Sequence, residues 1–178
     1  MIYQVINLND VIKYDKIKYN TNNHWINGIK PDDYDQKTFD TYTSKWIDLF
    51  GINYIKIKLD KPSDILWMKK AQQIGQITKQ FSKLFEDELE QSVNELENLY
   101  PEINGSTGYF VRTEDVSLKY GCHGVGPYCN FKSILESLVT SVIGHSPITE
   151  NTESITLYLL PWIDIKHEFR VFVYNNKI

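Results

Sequence analysis

An α+β domain, with helices packed on antiparallel strands, is predicted by three observations. Ile55, Ile57 and Leu59 alternate with Lys56 and Lys58, the two-residue period of a half-buried strand. From Ile65 to Tyr100 the period lengthens to that of a helix, with Ile74, Ile77, Phe81, Leu84, Phe85, Leu89, Val93, Leu96 and Leu99 as the apolar positions. Near the end, Ser154–Leu160 and Glu168–Tyr174 read as two strong strands, joined by Pro161-Trp-Ile-Asp-Ile-Lys-His167.

Length and composition narrow the class further. The chain has 178 residues, of which 42% are hydrophobic and 24% charged, enough for about one domain with a packed core. A net charge of -4 leaves no sequence-wide positive field to gather a phosphate backbone, which argues against nucleic acid as a partner. Cys122 and Cys129 are the only cysteines, too few for a disulfide-stapled scaffold, so a reducing, cytoplasmic setting is expected. The start, Met1-Ile-Tyr-Gln-Val-Ile-Asn-Leu-Asn-Asp, has neither a basic opening nor a long apolar run. No stretch approaches the ~20 apolar residues of a membrane span, so no membrane partner is expected.

Taken in order, residues 1–50 form an irregular, aromatic-rich segment punctuated by Thr21-Asn-Asn-His24 and Lys30-Pro-Asp-Asp-Tyr34. Residues 51–178 form the domain proper, with a helical region over about 62–100, a glycine loop at 121–126 and a strand pair over about 154–174. Pro62 and Ser63 start the helical region, and Gly75 is the expected break within it. Glu86, Asp87, Glu88, Glu90, Glu95 and Glu97 supply its solvated face. Pro101 and Gly105-Ser-Thr-Gly108 end that region, and Tyr109–Arg112 begins a short strand. Phe131–Ile143 reads as a helix capped by Asn130 and stopped by Gly144. Asn175-Asn-Lys-Ile178 reads as a hairpin turn with one residue of a return strand, so the domain is expected to be truncated at its C-terminus.

Local chemistry by itself points nowhere strongly. Cys122, His123 and Cys129 lie close in sequence, but the spacing between the cysteines lacks the tight pairing of structural zinc, and no metal is expected on that ground. A cysteine nucleophile would need His145 or His167 to converge on Cys122 or Cys129. Gly121-Cys-His-Gly124-Val-Gly126 lacks the Gly-Lys-Ser/Thr ending of a Walker loop and is not a Rossmann fingerprint. The order strand, glycine loop, helix nevertheless suits a phosphate.

The combination of Tyr109-Phe-Val-Arg-Thr-Glu-Asp-Val-Ser-Leu-Lys119 with Leu157-Tyr-Leu-Leu-Pro-Trp162 and Glu168-Phe-Arg-Val-Phe-Val173 carries more information. It resembles the Cdc123 family, whose members look like ATP-grasp proteins. In that family a Phe-Pro/Val-Lys-Leu-Asn-x-Ser-x-Pro-Lys stretch precedes a strand, linker and strand ending in Glu-Phe-Arg-x-Phe-Val. Here Arg112 falls where the family has its first Lys, Ser117 and Lys119 match the second Ser and Lys, and Glu168, Phe169 and Arg170 match outright. The similarity runs from about Ile52 to Ile178. It departs where Arg112 replaces a lysine and where Leu118, not proline, precedes Lys119.

The resemblance implies an incomplete ATP-grasp-like fold that binds ATP and serves as an assembly factor for translation initiation factor 2, acting through its gamma subunit. Arg112, Ser117 and Lys119 would answer the phosphates, with Gly121, Gly124 and Gly126 as the covering loop. Leu160 and Trp162 would form the adenine-side hinge, and Glu168 and Arg170 would share one face of the later strand. Magnesium is implied only together with carboxylates on strands beyond the equivalent of Ile178. Two other readings stand beside it: an ATP-grasp carboxylate–amine ligase, and a non-catalytic interaction domain anchored by Trp25, Tyr34, Tyr42 and Trp46. The plain structural alternative makes Arg112 and Glu168 a cross-strand ion pair and the aromatics core.

Overall fold

The computed structural model describes residues 34–103, 105, 107–142 and 144–164. Contacts divide the chain into two units, Met1–Thr41 and Tyr42–Ile178. In the first, helix α1 spans Tyr34–Asp40, with the Gln36 amide donating to Asp40 at 2.8 Å one turn on.

The second unit is α+β. In chain order it runs through α2 (Thr43–Trp46), a 3-10 turn (Ile47–Phe50), β1 (Ile55–Leu59), α3 (Pro62–Thr78) and α4 (Glu86–Leu99). It continues with β2 (Tyr109–Arg112), α5 (Phe131–Thr140) and β3 (Ile155–Pro161). The strands form an antiparallel sheet of order β1-β3-β2, with Ile57 opposite Leu157 and Arg112 opposite Tyr158. Residues 42–50, assigned from composition to the N-terminal segment, belong to this second unit, because Thr43 is fully buried and its hydroxyl donates to the Thr113 carbonyl at 2.6 Å.

Strand alternation separates the two faces of the sheet. Ile57, Leu59, Val111, Ile155, Leu157 and Leu159 face the helices and are almost wholly buried. Lys56, Phe110, Arg112 and Leu160 fall on the opposite side, where Tyr158 is the buried exception. Tyr158 is covered there by Tyr54, their ring centroids 5.8 Å apart.

The helical layer is built around α5. Asn130 caps it by accepting a hydrogen bond from the Ser133 amide at 2.9 Å, and Phe131, Ile134, Leu135, Leu138 and Val139 are buried. The helix ends at Thr140, before the expected stop at Gly144, where the backbone of Ser141 leaves helical geometry with ψ at 137°. Thr140 donates to Glu136 O at 2.7 Å and Ser141 to Ser137 O at 2.8 Å.

α3 begins at Pro62 as the sequence predicts, and Ile65, Met68, Ala71 and Gly75 turn its core stripe toward the interior. Gly75 does not break the helix. It lets α5 approach so closely that an added Cβ would lie 2.4 Å from the Val139 carbonyl oxygen. The break comes at Lys79, in left-handed conformation with its N–H on the Gly75 carbonyl.

The apolar period overstates the core on these helices. Leu89 and Leu96 are buried, whereas Ile77, Leu84 and Leu99 are each at least 71% exposed. The acidic face of α4 is partly paired: Glu86 takes an ion pair from Lys132 and Glu95 one from Lys61, both at 2.7 Å. Trp67 of α3 and Ser92 of α4 are buried together, the indole N–H donating to the hydroxyl at 3.0 Å. Among the described residues no helix is long and apolar enough to cross a membrane. The expected Glu168–Tyr174 strand and the hairpin turn after it lie outside the described residues.

Candidate functional site

After β2 the chain turns back on itself at residues 113–116. The Thr113 amide donates to the Val116 carbonyl at 2.7 Å, and Arg112 and Ser117 form an antiparallel bridge. A 3-10 turn, Leu118–Tyr120, then buries Leu118 and leaves Lys119 exposed. In this way Arg112, Ser117 and Lys119, which a turn separates in sequence, come to line one cleft.

That cleft has a volume of about 620 Å³. Its polar lining is Arg112, Ser117, Lys119 and Asp164. Its apolar lining is Phe110 from β2, Val125 from the glycine loop, and Leu160, Pro161, Trp162 and Ile163 from the end of β3. Two cations against one carboxylate make the lining net positive. At the end of β3, Leu159 is fully buried in the core while Leu160 lines the cleft. Trp162 is fixed through its backbone, whose N–H donates to the Gly108 carbonyl at 2.9 Å.

The glycines of the loop do different work. Gly121 lies against α5, where an added Cβ would meet the Ser137 carbonyl oxygen at 2.4 Å. Gly124 and Gly126 have positive φ, 68° and 114°, and flank the Val125 that reaches the cleft. The loop is held from below by Tyr128, whose hydroxyl donates to the Gly124 carbonyl at 2.6 Å. Glu168 and Arg170 lie outside the described residues.

Arg112 is held by groups far from it in sequence. Its Nε donates to the Thr43 hydroxyl at 2.7 Å, and its guanidinium lies 4.9 Å from the centroid of Trp46. Burial lowers the Arg112 pKa from its ordinary value, opposed by the charges of Asp115 and Glu114. Next to it, Glu114 accepts from the Tyr158 hydroxyl and, at 3.0 Å, from the Ser44 amide. Partial burial works to raise the Glu114 carboxyl, but these two hydrogen bonds and the charge of Lys56 outweigh it and leave it below its ordinary range. Burial, then the hydrogen bond to Glu114, pushes the Tyr158 phenol up.

No spacing rule links Thr43 or Trp46 to Arg112. The available signal was Trp46 itself, an aromatic in a polar segment.

The cysteines and histidines are also placed. Cys122 and His123 come together with Glu136 of α5, the ligand atoms of all three within 4.8 Å of one another. Cys129 is half-buried and is not part of that group, and His145 stacks on Tyr120 with ring centroids 4.1 Å apart. His167 lies outside the described residues. Compared with known proteins, the chain matches no family model, no curated protein and no solved structure.

Proposed function

We propose that the chain binds an adenine nucleotide in the cleft between the 113–120 turn and the end of β3, as the resemblance to the Cdc123 branch of the ATP-grasp proteins implies. One observation carries the reading: Arg112, Ser117 and Lys119 meet Phe110, Leu160 and Trp162 around a single cleft of about 620 Å³. Triphosphates are recognised by cations and hydroxyl donors, and a flat base by an apolar or aromatic wall. The cleft offers both, at a size ordinary for small-molecule sites. Arg112 enters already oriented by Thr43 and Trp46, which lowers the entropy lost when it takes a ligand.

For magnesium, Asp164 is the one carboxylate lining the cleft among the described residues. A magnesium ion commonly takes one or two carboxylates together with substrate phosphates, so Asp164 fits as a holding residue. When bound, the ion would screen phosphate charge.

The wider role that the resemblance implies is assembly of translation initiation factor 2 through its gamma subunit. Its rival within the same fold is a carboxylate–amine ligase. A separate reading, a protein-contact domain, is favoured by Leu49 and Phe50, which are 82% and 65% exposed next to α2.

The test is thermal unfolding with and without Mg-ATP, on wild type and Lys119→Ala. Nucleotide at 100 times its dissociation constant stabilises by about 2.7 kcal/mol, a rise of roughly 5–11 °C at this size. Lys119 is exposed and its removal leaves the core intact, so loss of the rise in Lys119→Ala supports the cleft. An absent rise, or one indifferent to Lys119, overturns it. Once binding is seen, co-purification of the gamma subunit without rapid turnover points to assembly. ADP release that needs an acid and an amine points to a ligase.

A further inference from the structure

We propose that Cys122, His123 and Glu136 form a binding site for a divalent transition metal of the zinc class, separate from the nucleotide cleft. Nε2 of His123 meets Oε2 of Glu136, and the donor atoms of the three side chains lie within 4.8 Å of one another. Around a tetrahedral zinc, with bonds of ~2.0–2.3 Å, neighbouring ligand atoms stand roughly 3.3–3.5 Å apart. Cys122 and His123 are exposed and free to close that difference by side-chain rotation.

The donor set selects the metal. Thiolate, imidazole and carboxylate together suit zinc and its first-row neighbours, whereas calcium and magnesium call for oxygen ligands alone. Three protein ligands on an exposed surface leave a fourth position for water. Coordination requires Cys122 as thiolate, so its proton leaves to solvent. The metal also takes the place of whatever proton the His123–Glu136 contact shares.

The group is also built, not merely adjacent. The Cys122 amide donates to the Thr140 hydroxyl at 2.9 Å and the His123 amide to the Ser137 hydroxyl at 3.3 Å. Gly121 is wedged against the Ser137 carbonyl. Ser137 and Thr140 lie on α5, the helix that carries Glu136. The backbone of the two loop ligands is therefore fastened to the element bearing the third, and little ordering entropy remains to oppose binding. The paired-cysteine rule misses this site because its third ligand is a carboxylate on the following helix, and Cys129 is not part of it.

Cobalt is the probe, added to the whole chain freed of metal by chelator. The expected result is one equivalent bound, with a thiolate-to-cobalt charge-transfer band in the near ultraviolet that zinc displaces. Cys122→Ser abolishes the band, Glu136→Gln and His123→Asn weaken binding by about tenfold or more, and Cys129→Ser leaves it unchanged. Metal-free thermal unfolding of each variant serves as the folding control, because Glu136 and Cys129 are partly buried. The proposal is overturned by the absence of a thiolate band in wild type, by a band that survives Cys122→Ser or depends on Cys129, or by affinity indifferent to Glu136→Gln.

Discussion

The Nε of Arg112 donates to the hydroxyl of Thr43 at 2.7 Å, across 69 residues of chain. Thr43 in turn donates to the Thr113 carbonyl, so one buried hydroxyl joins the segment before β1 to the strand that carries the arginine. The bond ties the architecture to the candidate site, because the guanidinium it orients lines the cleft.

Thr43→Val keeps the shape of the side chain and removes the hydroxyl. It leaves the Arg112 Nε and the Thr113 carbonyl without this partner, at an expected cost of about 1–3 kcal/mol. Urea denaturation checks the stability loss. Nucleotide affinity, if the cleft binds ATP, should fall in the same variant because Arg112 is no longer oriented.

Gly75→Ala sets two effects against each other. Alanine improves helix propensity by about 1 kcal/mol, while its Cβ would stand 2.4 Å from the Val139 carbonyl oxygen and force α3 and α5 apart. Backbone cannot swing aside as a side chain end can, so overpacking wins, and the variant should be destabilised by about 1–3 kcal/mol. A rise in unfolding temperature for Gly75→Ala would refute this packing.

Ser92→Ala removes the acceptor of the buried Trp67 indole N–H. Burial bars water from replacing it, so a loss of about 1–3 kcal/mol is expected in chemical denaturation. Ser92→Thr, which restores a hydroxyl, should recover part of it.

The Glu114–Tyr158 pair predicts stability changes at both ends of the pH scale. Glu114 is lowered from its ordinary 4.5, so its contribution is fully present above that value and is lost as pH falls through the lower folded value. Tyr158 is raised above its ordinary 10.0, so its contribution is complete below pH 10.0 and is lost as pH rises through the higher folded value. The stability difference between wild type and Glu114→Gln, followed by urea titration, should hold steady at neutral pH and shrink in acid. A difference that grows in acid would contradict the pairing.

The regular elements were legible because their signals are local. Ile57 and Leu59 reveal β1 through alternation, Asn130 reveals the start of α5 through its cap, and Pro62 reveals the start of α3. Where local rules misled, a neighbour distant in sequence had decided. Gly75 reads as a helix breaker until α5 is seen against it, and Ile77 and Leu84 share the apolar period yet meet no facing element among the described residues that buries them. Of the candidate site, Arg112, Ser117, Lys119, Leu160 and Trp162 were named from sequence and line one cleft. Thr43 and Asp164 were not singled out, and Trp46 was named only as an anchor for a protein contact, because each acquires its place beside the cleft only through folding.

The sequence by itself determined where this chain alternates, where it coils and where it caps, since backbone periodicity and capping are set by residues within a few positions of one another. The tertiary structure alone decided which polar groups meet: Arg112 with Thr43, Tyr158 with Glu114, and Cys122 and His123 with Glu136. Such meetings depend on how elements far apart in the chain bury their apolar faces against one another. That packing is non-directional in the sequence and becomes specific only once the core is filled.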